Sequence, residues 1–165
     1  MVAADAFSPI RWRNGALELL DQTVLPAREE WLHCSHPADV AGAIRRLSVR
    51  GAPAIGVAAA YGLVLGIDPA SASADELREA CRRTPALHLA TPPTAVNQGG
   101  ARKRRPAVFD EALAAGKGAA DVRAALLEWA HEEHRKDVET NRAIGENGKA
   151  LFEAGDKVLT HCNAG

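Results

Sequence analysis

The sequence predicts an α+β protein: a small N-terminal antiparallel β meander, then a helical bundle, then the first strand of a further α/β unit. Three observations predict it. Two apolar runs near the N-terminus flank Arg13-Asn14-Gly15, segments of helical spacing fill most of the chain beyond them, and an apolar run from Lys157 leads into a small polar loop. Alternating runs around a turn signal strands, whereas recurrence at three and four residues signals amphipathic helices.

The meander begins with Ile10-Arg11-Trp12 and the run Ala16 to Asp21. The Asn-Gly pair between them favours a two-residue hairpin, because both positions tolerate positive φ. Glu30 to Cys34 reads as a third short strand. Pro37-Ala38-Asp39 then opens a helix whose apolar residues Val40, Ala43, Ile44 and Leu47 keep helical spacing, with Arg45 and Arg46 towards water.

A second helix is expected from about Pro53, since proline suits the first turn, where its missing N–H costs nothing. Asp68-Pro69 and the serines after it form a polar link into a third helix, Ala74 to Arg83, carrying Leu77, Ala80 and Cys81. From Thr84 to Gly118 several prolines, Gly99-Gly100 and the basic run Arg102-Lys103-Arg104-Arg105 leave no sustained period, so residues 84–118 read as irregular or partly disordered. Ala119 to Phe152 reads as one long or two short helices, with Gly145 and Gly148 as the interruptions. Gly155-Asp156 turns into a strand from Lys157. A strand entering such a loop opens a βα unit, which needs a crossover helix and a second strand to cover its faces. The expected organisation is therefore a β/helical domain over 1–152 and the start of a truncated second domain over 153–165.

Composition narrows the function classes. The 165 residues suit one domain, and charged residues are a quarter of the chain with a net charge of −1, so no global field favours nucleic acid or an acidic membrane. The uncharged run Gly51 to Ile67 falls short of the ~20 apolar residues that span a bilayer. Cys34, Cys81 and Cys162 are odd in number, widely spaced and not preceded by a signal peptide, which points to a reducing, cytoplasmic setting.

The most informative segment is Val49 to Gly62, with Arg50 and Gly51 at the mouth of a small-residue helix. The first N–H groups of a helix have no internal partner and carry the positive end of its dipole, so a phosphate can be held there with Arg50 while Gly51 lets the backbone approach. The same residues equally describe a closely packed core helix preceded by a solvated arginine. Cys162, just past the last strand, is a candidate nucleophile or acid/base, or else a buried inert thiol. His131 and His134 lie one turn apart around Glu132 and Glu133 but miss the HExxH spacing. With Arg135 and Lys136 they read as a solvated helix face rather than a metal site. The basic run lacks interleaved aromatics and reads as an exposed loop, not a nucleic-acid site.

Several stretches taken together resemble a family. Ile10-Arg11-Trp12 with Gly15 to Gln22, Ala43-Ile44-Arg45 with Val49 to Gly62, Asn141 to Gly145 with Gly148, and Leu159 to Gly165 resemble the S-methyl-5-thioribose-1-phosphate isomerases, relatives of the regulatory subunits of eIF2B. The resemblance implies an aldose-ketose isomerase of methionine salvage acting on a sugar 1-phosphate. It implies no cofactor and no metal, a homodimer, and a C-terminal Rossmann-like domain of which only the first strand is present. It places Arg50, Gly51 and Ala52 on the substrate-binding segment and Cys162 on the catalytic cysteine. The family's Arg-Pro-Thr-Ala-Val-Asn reads here from Pro92 to Asn97, with Pro92 in place of a substrate-binding arginine, and Gln98 to Arg105 departs as a local frameshift would make it. The family's catalytic aspartate lies in the C-terminal domain, so this chain is expected to show little or no turnover. Two other readings remain: a non-catalytic module sensing a sugar phosphate or nucleotide, of the eIF2B regulatory-subunit type, and a ribose-1,5-bisphosphate isomerase.

Overall fold

A computed structural model describes residues 8–71, 73–89, 107–159 and 161. Strands β1 (Ile10–Arg13), β2 (Ala16–Leu20) and β3 (Trp31–Cys34) form an antiparallel sheet with β2 in the centre. Asn14 and Gly15 take φ of 51° and 80°, the mirror-image turn whose twist matches a hairpin, and the register pairs Arg13 with Ala16 and Ile10 with Leu19. Pleating divides the sheet. Ile10, Leu17, Leu19 and Cys34 turn inward and are buried, while on the other face Arg11 stacks on the Trp31 ring at 3.7 Å.

Helix α1 (Pro37–Arg45) starts where the Asp39 carboxylate accepts the N–H groups of Ser35 and His36. It ends at Leu47, which takes a left-handed φ of 59° so that the Ser48 N–H can reach the Ala43 carbonyl at 2.9 Å. Helix α2 (Ala52–Leu65) is apolar all round, and it is buried on every side from Ile55 to Val64 because α1, α3, α5 and β2 surround it. The expected start at about Pro53 holds to within one residue.

Helix α3 (Ala74–Leu89) opens with a reciprocal cap between Ser73 and Glu76 and buries Leu77, Cys81 and Thr84. Its outer face carries ion pairs from Arg78 to Asp75 and from Arg82 and Arg83 to Glu79. The helix runs six residues beyond the expected end at Arg83. Residues 107–114 form a further helix, α4, inside the stretch expected to be irregular. Its signal is short, but Phe109 and Ala112 lie one turn apart and both pack into the core, so tertiary burial stabilises a segment that periodicity alone did not mark.

Helix α5 (Ala119–Gly148) is a single rod of 30 residues, about 45 Å at 1.5 Å per residue. Gly145 does not interrupt it, and at Gly148 it tightens into a 3₁₀ turn, Lys149–Leu151. Val122, Leu126, Trp129 and Ala130 bury its first half. Lys157 to Leu159 do not join a ladder as expected. A strand needs a neighbour to take its backbone groups, none is present there among the described residues, and Leu159 is 97% exposed.

Candidate functional site at the mouth of α2 and the adjoining cleft

The link from α1 to α2 is pinned on both sides of Arg50. Ser48 and Val49 are buried, the Ser48 carbonyl accepts the Gln22 N–H at 2.9 Å, and Gly51 takes φ 87° before α2 begins at Ala52. That φ favours glycine strongly. Arg50 itself is exposed, and its Nε donates to the Leu47 carbonyl at 3.1 Å, so the guanidinium lies back over the end of α1. No ion pair engages it among the described residues. Gly51 provides no capping side chain, and the first N–H groups of α2 therefore receive no side-chain acceptor. Arg50, Gly51 and Ala52, the residues that the family resemblance assigns to substrate binding, thus lie at one helix mouth, with a fixed backbone, a positive helix end and an exposed cation.

Cys162 lies outside the described residues, as do Pro92, Asn97 and the basic run Arg102 to Arg105. The other two cysteines are buried and form no disulfide, and burial, together with the nearby Asp39 carboxylate, pushes Cys34 up to about 11. A thiol so raised is neutral and a poor nucleophile. Among the described residues no group of three or more histidine, cysteine or carboxylate side chains is placed to hold a metal ion.

One further turn along α2, a cleft of about 500 Å³ opens between Ser8 to Ile10, α2 and the middle of α5. Tyr61, from the buried face of α2, extends its hydroxyl to two partners at once: His131 Nδ1 at 2.9 Å and His134 Nδ1 at 3.3 Å. The Tyr61 ring stacks on Trp12 with centroids 5.4 Å apart, which fixes the hydroxyl. Burial pushes Tyr61 up to about 12, against a smaller opposing pull from Arg135. Burial also lowers His134, more than Asp137 raises it, and His131 adds to the lowering.

The expectation of a solvated face at His131 and His134 therefore needs correction. Arg135 and Lys136 do face water, paired with Glu132 at its two oxygens, but the histidines turn inward and are half-buried against Tyr61. Sequence reading missed Tyr61. The signal was present: it is the sole tyrosine of the chain, set in an otherwise apolar helix, and a buried phenol needs a hydrogen-bond partner.

Comparison with known proteins adds an independent line. The model of the Initiation factor 2 subunit family matches residues 48–165. A methylthioribose-1-phosphate isomerase of Albidiferax ferrireducens is 46% identical over 97% of this chain and 45% of its own length. A 5-deoxyribose 1-phosphate isomerase of Bacillus cereus is 44% identical over 95% of this chain and 45% of its own. Among solved structures, the delta subunit of the translation initiation factor eIF-2B from A. fulgidus superposes with a TM-score of 0.79 at 36% identity, over 92% of this chain and 43% of that one. The 5-methylthioribose 1-phosphate isomerase of Pyrococcus horikoshii superposes with 0.78 at 26% identity, over 89% and 44%. The chain spans less than half the length of these relatives.

Proposed function

We propose that this chain, which belongs to the Initiation factor 2 subunit family, carries the phosphate-binding end of an aldose-ketose isomerase acting on 5-methylthioribose 1-phosphate. The observation that carries the reading is the meeting of Arg50, Gly51 and Ala52 at the mouth of α2, in a chain 43–46% identical to proteins named for that activity.

The chemistry fits that mouth. Converting the 1-phosphate of an aldose into that of a ketose opens the sugar ring and moves a hydrogen between C2 and C1, with no net oxidation. The phosphate beside the reacting carbon must stay fixed while this happens. A helix N-terminus with a guanidinium beside it supplies that fixation, and the rigid link through Ser48 and Val49 supplies it without reorganisation. Arg50 must only swing from the Leu47 carbonyl to reach an anion there. On the family resemblance Cys162 acts as the acid/base or nucleophile, and Pro92 removes a second cationic contact.

Calorimetry with 5-methylthioribose 1-phosphate tests the clamp. Saturable binding is expected, weakened at least about tenfold by Arg50→Ala, the loss of one charge-assisted contact to phosphate. Binding that Arg50→Ala leaves unchanged overturns the reading. Turnover assayed alongside, with Cys162→Ser as the comparison, separates a catalyst from a binder.

Two observations support neighbouring readings. The A. fulgidus eIF-2B subunit superposes as well as the isomerase does, which favours a sensing module if binding occurs without turnover. The B. cereus relative named 5-deoxyribose 1-phosphate isomerase makes that sugar phosphate the competitor to test. We also place the protein in the cytoplasm, as Cys34 and Cys81, which form no disulfide, suit a reducing compartment; the homodimer that the family resemblance implies is a property proposed for the full-length protein, read by light scattering. No described helix is long and apolar enough to cross a membrane.

A further inference from the structure

We propose that the cleft between β1, α2 and α5 is a second binding site, for a small anion with a short apolar body, its head against His134 and Arg142 and its body against Ile10, Ala54 and Val57. This does not rest on the isomerase reading, because neither Arg50 nor Gly51 lines the cleft.

The walls and the polar end differ in chemistry. Pro9, Ile10, Ala54 and Val57 offer a ligand only apolar surface, and the one polar side chain from residues 8–10, the Ser8 hydroxyl, donates to the Ile10 carbonyl at 2.7 Å. The other polar groups are Tyr61 from α2 and, from α5, His131, His134, Arg135, Asp137 and Arg142. Two guanidiniums thus face one carboxylate. Arg135 is held by Glu128 and Glu132, and Asp137 accepts the Asn141 amide at 3.3 Å, but Arg142 has no ion pair among the described residues. The volume of about 500 Å³ suits a small ligand.

The hydrogen bonds at Tyr61 add a proton requirement. Its hydroxyl has one proton to donate, so when both contacts form, one imidazole accepts at Nδ1 and the other donates from Nδ1. The donating ring, if neutral, has a bare Nε2, which an anion repels. Protonating that ring turns both of its nitrogens into donors. Where His134 is the donating ring, an anion against it therefore draws a proton onto it, against the burial that favours its neutral form. No titratable group from residues 8–10 opposes this, and Asp137 is the one carboxylate lining the cleft among the described residues.

Hexyl phosphate, inorganic phosphate and 1-hexanol serve as probes, titrated into the full chain while the ring resonances of His131 and His134 are followed by NMR. Hexyl phosphate is expected to bind saturably and about tenfold more tightly than inorganic phosphate, the value of roughly two buried methylenes, with no saturable shift from 1-hexanol. Affinity should be highest at acid pH and fall as the pH rises and His134, held by burial below its ordinary value, loses its proton. Arg142→Ala should weaken binding about fivefold or more, and Ala54→Phe should block it by filling the cleft. Circular dichroism checks both variants, and Arg142→Gln replaces Arg142→Ala if that one is unfolded. Arg50→Ala should leave the histidine shifts intact. The proposal is overturned if hexyl phosphate leaves both histidines unshifted, if inorganic phosphate binds as tightly, or if folded Arg142 and Ala54 variants bind as the parent does. It is equally overturned if Arg50→Ala abolishes the shifts, which would put the anion at the mouth of α2.

Discussion

Helices α2 and α5 pack against each other, yet different forces hold them. From Ile55 to Val64, α2 is enclosed by α1, α3, α5 and β2, and its fourteen residues include no charge at all. Helix α5 resembles it only at the start. Beyond His134 the packing gives way to local contacts: Arg135 with Glu128 and Glu132, Lys136 with Glu132, and the amides of Asn141 and Asn147 on the carbonyls one turn back. Exposed pairs of this kind are worth only a few tenths of a kcal/mol each. Ile144, 65% exposed, shows that apolar spacing along α5 continues where core contact has ended. A helix held on all sides can present a rigid terminus, which is what an anion site at Gly51 needs. A helix held at one end can extend outward but adds little to the core.

The contrast can be broken at several points. Leu126→Ala, in the buried half of α5, should cost about 3 kcal/mol in urea unfolding, because the cavity it leaves lies under the core. Gly51→Ala comes next at about 1 to 3 kcal/mol. Its added Cβ meets nothing within 4 Å, so the cost is backbone strain at φ 87°, and a thermal midpoint equal to the parent's would show that the mouth of α2 is not rigid.

Tyr61→Phe removes the hydroxyl that ties α2 to α5 through both histidines, at about 1 kcal/mol. An unaltered urea midpoint would mean that packing alone joins the two helices. The same junction should respond to acid. His134 is lowered in the fold from its ordinary value of 6.5, so below that value the unfolded chain takes up its proton first. Stability should therefore fall as pH drops from about 6.5 through the lower folded value, then level off. His134→Gln should flatten that slope, measured as urea midpoints across the window. The smallest effect belongs to Ile144→Ala, expected within about 0.5 kcal/mol of the parent, and a cost matching that of Leu126→Ala would abolish the distinction between the two halves of α5.

The hairpin, α1, α2 and the glycine turn at Gly51 were legible because each depends on local chemistry. Asn14 and Gly15 permit positive φ, Pro37 and Pro53 suit first turns, and Gly51 occupies a backbone state that few other residues adopt. Helix α4 was not legible, since Phe109 and Ala112 mark a helix only once a core exists to receive them. The inward turn of His131 and His134 was hidden for a related reason. Glu132, Arg135 and Lys136 give that stretch the pattern of a solvated face, and only the placement of Tyr61 seventy residues away reveals the other side.

The sequence by itself determined the hairpin, the starts of α1 and α2, the residues at the mouth of α2 and the family resemblance, because turn residues, helix starts and short motifs act over a few neighbouring residues. Only the tertiary structure decided which side of α5 is buried, that α4 exists, and that a phenol and two imidazoles share one cleft. Those outcomes depend on which distant surfaces meet, and burial energy is assigned only when they do.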